Sequence, residues 1–134
     1  MDKREINERY AEIGAELVKE EPALEHIKNS QATIVYLSSN HKKSHDGKNV
    51  FAQCEKVPQK YKWGIPCDFT ITVFEPNIIG LSDEQIKILL FHELLHVGIE
   101  PNADGSETYT CVPHDLEDFK LIIDRFGTDW SKVD

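Results

Sequence analysis

The stretch from Ser82 to Gly98, SDEQIKILLFHELLHVG, constrains the fold more than any other part of the chain. Ser82 followed three residues later by Gln85 is a capping box, and Asp83 and Glu84 complement the positive end of a helix dipole. Ile86, Ile88, Leu89, Leu90, Phe91, Leu94, Leu95 and Val97 follow with little polar relief, and Gly98 is a natural C-terminal stop. A helix apolar nearly all round has to be buried, so other elements must wrap it. With 134 residues, 40% of them hydrophobic, the chain can build one modest core around such a helix. A single domain over residues 1–134 is therefore expected.

The flanking patterns supply the wrapping. Ile6, Tyr10, Ile13 and Leu17 form an apolar stripe of helical period, which predicts an amphipathic helix over residues 4–20. Pro22 to Ile27 suits a short second helix. Ala32–Leu37, Val50–Val57 and Asp68–Phe74 read as strands, the last alternating cleanly. Residues 38–48 and 100–110 are polar and read as loops. A final helix is expected from near Pro113, carrying Leu116, Phe119, Ile123 and Phe126 to a stop at Gly127. Three strands with hairpin-like connections predict an α+β fold: a small, mainly antiparallel sheet of about three strands, an N-terminal helix, a buried central helix and a C-terminal helix. Trp63 and Trp130 are expected to pack, and His26, His41 and His45 to face solvent.

Charge narrows the partners. The net charge of −9 is uneven: residues 29–62 carry 6 basic and 2 acidic side chains, residues 63–134 carry 4 and 14. The acidic part would repel a phosphate backbone, so nucleic-acid binding is not expected. No apolar run is long enough to cross a bilayer and none near the start resembles a secretion signal, so the expected compartment is the cytoplasm, without a membrane partner. Cys54, Cys67 and Cys111 have neither the number nor the spacing of a disulfide framework or zinc knuckle, and are expected to be reduced.

Within the buried helix lies His92-Glu93-Leu94-Leu95-His96. At about 100° per residue the two histidines share one face, one turn apart, so both imidazoles can reach one metal ion with Glu93 beside them. The alternative, hydrogen-bonded histidines beside a solvated glutamate, leaves two imidazoles and a carboxylate to be satisfied in an apolar helix. A catalytic zinc site has three protein ligands and an open position. Candidates for the third are His114, Glu117, Glu100, Asp104 and Glu107. His114 comes first because it opens the final helix, directly after Pro113, and Glu117 second.

The HExxH segment followed by His114-Asp115-Leu116-Glu117-Asp118-Phe119 resembles the SprT-like zincin metalloproteases. It is more closely similar to the phage metallopeptidase family, whose acidic N-terminal helix, strands, HExxH helix and final His-Asp-x-x-Asp-Phe helix most of the chain traces. The resemblance implies a zincin-like fold, Zn2+ as cofactor, His92, His96 and His114 as ligands, and Glu93 as the catalytic carboxylate of a peptidase. Zinc held by three imidazoles lowers the pKa of a coordinated water to about 7, Glu93 would shuttle the proton, and Tyr109 is a candidate donor to the developing oxyanion. The expected partner is a protein or peptide substrate, lying along Asp68–Phe74 if that strand is an exposed edge. Two other functions compete: a metal-binding interaction or regulatory module without proteolysis, and a DNA-associated SprT-like protease.

Overall fold

The computed structural model describes residues 2–113, 120–127 and 130. Along the chain run β1 (Arg4–Ile6), α1 (Glu8–Glu20), α2 (Glu25–Lys28), β2 (Ile34–Ser39), β3 (Ser44–His45), β4 (Lys48–Asn49), β5 (Ala52–Lys56), β6 (Phe69–Phe74), α3 (Asp83–Leu94), β7 (Val97–Pro101), β8 (Glu107–Cys111) and α4 (Lys120–Phe126). The architecture is mixed α+β, as expected from the alternation of periods.

The main sheet has four strands in the order β1-β2-β6-β5. Its two outer pairings are antiparallel, but the central pair, β2 with β6, is parallel, with Tyr36 opposite Ile71. The expected mainly antiparallel meander is corrected there. A parallel pair needs a long crossover, and residues 40–68 provide it, turning back through β5 before β6 enters the middle of the sheet. β6 is therefore internal, with Phe69, Ile71, Thr72, Val73 and Phe74 all fully buried. Arg4 donates to the Thr72 hydroxyl, which satisfies that buried oxygen.

Three further boundaries differ from the sequence reading. The first helix begins at Glu8, because the Asn7 side chain accepts from the Tyr10 backbone N–H and caps it. Residues 4–6 form an edge strand instead, and Ile6, placed by periodicity on the buried stripe, is exposed. Residues 44–49 form a hairpin in which Asp46 and Gly47 both take positive φ, 51° and 75°, the signature of a tight two-residue turn. Residues 97–111 form a second hairpin, β7–β8, rather than a loop.

Packing joins the layers. α1 lies on β2 where Gly14 meets Tyr36, and a Cβ at Gly14 would stand 2.2 Å from the tyrosine oxygen. α3 buries Ile86, Ile88, Leu89, Leu90, Phe91 and Leu94, as its composition requires, and forms one cluster with Phe69, Ile71, Val73, Tyr10 and Leu17. α4 ends before Gly127, whose φ is +78°; the beginning of the expected last helix lies outside the described residues. Trp63 corrects another expectation: it is 91% exposed, on the turn between β5 and β6.

Candidate metal centre

α3 is started by its capping box, with Ser82 Oγ accepting from Gln85 N–H at 3.2 Å and Gln85 Oε1 accepting from Ser82 N–H at 2.8 Å. Its other end was expected at Gly98 but comes at Leu94, because the chain turns directly into β7. The closing turn is tight: Leu95 N–H reaches both Phe91 O and His92 O, and His96 N–H reaches Glu93 O at 3.0 Å. His96 thus lies just past the helix yet stays beside His92, with ring centroids 5.3 Å apart. His92, Glu93 and His96 each present one ligand atom, and these atoms lie within 4.8 Å of one another. Glu93 is only 5% exposed, with its Oε2 3.8 Å from His92 Nε2. A carboxylate beside two imidazoles, all three presenting ligand atoms to one point, is a donor set that suits a divalent cation.

The β7–β8 hairpin sets the orientation of His96. Val112 N–H donates to His96 O, and His96 Nδ1 lies 2.6 Å from Val112 O. A carbonyl oxygen only accepts, so Nδ1 carries the proton and the lone pair is on Nε2, the tautomer a metal ligand needs. Close approach of the strands makes this clamp possible. A Cβ at Gly98 would stand 2.4 Å from Thr110 Oγ1 and 2.9 Å from Val112 Cγ2, so Gly98 serves strand contact rather than helix termination. A second histidine supports the same strand from outside: His26 Nε2 lies 2.8 Å from Val97 O, although His26 was expected to face solvent only.

The cluster opens into a cleft of about 280 Å³ lined by Ala52, Gln53, Cys54, His92, Glu93 and His96. An adjoining cavity of about 180 Å³ extends past Phe51 and Leu89 to Trp130, whose ring centroid is 6.0 Å from that of His92. One wall is β5. Phe74 N–H donates to Phe51 O and Val57 N–H to Asp68 O, so odd-numbered residues of this segment face β6 through their backbone. By alternation Ala52, Cys54 and Lys56 turn their N–H and C=O groups to the outer edge. Cys54 O is met there by the Cys111 thiol at 3.9 Å. Burial pushes the Cys54 thiol well above its ordinary pKa, and Cys111 and the Glu93 carboxylate add to the effect.

Other candidates from the sequence are placed elsewhere. Tyr109 gives its hydroxyl to Glu107 Oε1 at 2.8 Å and packs its ring edge-on against Phe69. Burial, with that carboxylate, raises its pKa to about 12. Glu107 also accepts from Gln31 N–H, and Asp104 accepts from the backbone and hydroxyl of Ser106. These two carboxylates are tied to neighbours other than the cluster, and Glu100 is not part of it. His114 and Glu117 lie outside the described residues. Sequence reasoning missed Val112, which acts through backbone atoms that any residue but proline carries, and missed Cys54 and Trp130 as cleft neighbours. For those two no motif gives a signal.

An α+β chain whose buried helix and closing turn gather two histidines and a glutamate at metal-binding separation has the features of a metallopeptidase. The family model described as Putative phage metallopeptidase matches residues 2–133, and the chain belongs to that family. No curated protein and no solved structure matches it. Among the described residues no helix is long and apolar enough to cross a membrane.

Proposed function

We propose that the protein is a zinc-dependent peptidase of the HExxH type, with His92, His96 and His114 as the zinc ligands and Glu93 as general base. The observation that carries the reading is the convergence of His92, Glu93 and His96 within 4.8 Å, with His96 held by Val112 in the ligand tautomer. His114 as the third ligand rests on the resemblance of His114-Asp115-Leu116-Glu117-Asp118-Phe119 to the start of the final helix of the family, whose model matches residues 2–133.

Zinc bound there would supply a Lewis acid that makes water nucleophilic near neutral pH and stabilises charge on a peptide carbonyl oxygen. Glu93 contributes the proton path. As a carboxylate it accepts the proton of the attacking water, and its position beside the histidines lets it pass that proton to the departing amine. Burial of Glu93 excludes bulk water from this transfer. The substrate is an extended segment of a protein. The expected docking along residues 68–74 fails because β6 is internal, and we assign it instead to the outer edge of β5, where Ala52 faces the cleft and can pair with a peptide backbone.

Elemental analysis of purified protein should find about one zinc per chain, and His92→Ala or His96→Ala should lose it. Glu93→Gln should keep the metal while cleavage of an unfolded protein such as casein falls by about 100-fold or more. Undiminished cleavage by Glu93→Gln would remove Glu93 from the mechanism, and unchanged metal content in both histidine variants would remove the site.

A further inference from the structure

We propose that Cys54 and Cys111 are an oxidation site, forming a disulfide that closes the cleft; the consequence for activity rests on the function proposed above. Cys54 is half-buried in the cleft wall on β5, and Cys111 is exposed at the end of β8, alongside it. The Cys111 thiol lies 3.9 Å from Cys54 O, on the outer edge where a substrate backbone would pair. In the reduced protein this is a weak S–H···O contact that a peptide N–H can displace. A disulfide would make it permanent, fastening β8 across the edge next to Glu93 and His96. Cys67, 4% exposed and anchored by its N–H to Ile65 O before β6, is outside the pair.

The chemistry needs a two-electron oxidant, for which hydrogen peroxide suffices. The accessible Cys111 thiolate attacks one peroxide oxygen, the O–O bond breaks, hydroxide leaves and Cys111 becomes a sulfenic acid. The Cys54 sulfur then attacks the Cys111 sulfur, the S–O bond breaks, and the Cys54 proton leaves with the hydroxyl group as water. Two thiols are oxidised by two electrons in all, and one peroxide is reduced to two waters.

The test treats the metal-loaded protein with a few equivalents of hydrogen peroxide and maps its peptides by mass spectrometry without reduction. The expected product is a single linked pair containing Cys54 and Cys111, 2 Da lighter than the thiols. It should revert with a phosphine reductant and be absent in Cys54→Ser and Cys111→Ser. Zinc content should not change on oxidation, whereas casein cleavage should drop at least ten-fold in the wild type and not in Cys111→Ser. Oxidation of Cys111 alone to sulfinic acid, or a link through Cys67, would overturn the site. A disulfide that leaves cleavage intact would overturn its closing role. If the disulfide forms but the reduced, zinc-loaded protein cleaves nothing, the peptidase reading fails while the oxidation site stands.

Discussion

Gly98 offers the most direct test of how the hairpin supports the metal centre. In an ordinary strand, Gly→Ala is favourable by about 0.5–1 kcal/mol because the unfolded chain loses freedom. Here the new methyl group would stand 2.4 Å from Thr110 Oγ1, 2.9 Å from Val112 Cγ2 and 3.1 Å from Thr110 O. The two side-chain atoms can rotate away, but the carbonyl is backbone, so β8 itself must yield. Overpacking of this kind costs about 1–3 kcal/mol, which leaves a net loss of about 0–2.5 kcal/mol after the strand gain. The yielding strand carries Val112, whose carbonyl fixes the His96 tautomer, and loss of such an outer partner weakens metal binding by about 10–100-fold. Gly98→Ala should therefore unfold at lower urea concentration in the metal-free state and bind zinc roughly ten-fold more weakly in competition with a chromophoric chelator. Adding Thr110→Ala removes the 2.4 Å overlap but leaves the contacts with Val112 Cγ2 and the Thr110 carbonyl, so neither stability nor zinc affinity should return fully to the wild-type value. Wild-type stability together with wild-type zinc affinity in Gly98→Ala would refute the clamp.

Two other outcomes follow from side-chain environments. Burial raises the Asp68 pKa, but the Lys62 ammonium at 2.5 Å and the hydrogen bonds from Thr33 outweigh it and leave it below 3.8. A carboxylate depressed in the folded state stabilises above its unfolded pKa, and that contribution disappears as pH falls through the folded value. Wild-type stability, followed by urea midpoint, should thus fall on acidification below pH 3.8, and Asp68→Asn should lack that component. Trp63→Ser should shift stability by no more than about 0.5 kcal/mol by urea unfolding, since its ring is 91% exposed and contributes little to the core.

Much of the centre was legible before any coordinates. The i, i+4 histidines and the glutamate between them are local information: the helical repeat predicts their convergence and the capping box marks where the helix starts, although it is the closing turn after Leu94 that keeps His96 beside His92. Gly98 illustrates the limit. Its position after an apolar run is the ordinary sign of a helix stop, but the chain had already turned at Leu94, and the glycine's role depends on Thr110 and Val112, more than ten residues away. Asp46-Gly47 is a local signal too, a two-residue hairpin turn inside a stretch whose polar composition alone suggests a loop.

Local periodicity, capping and turn chemistry thus determine from the sequence by itself that the chain has a buried helix, which residues on it converge, and that the fold mixes helices with strands. Only the tertiary structure decides that β2 and β6 are parallel, that β5 rather than β6 is the edge beside the cleft, and that Val112 orients His96. The physical reason is range. Helical and hairpin contacts link residues a few positions apart and leave a periodic trace, whereas strand order and backbone-to-ring hydrogen bonds join distant segments through groups that nearly every residue possesses.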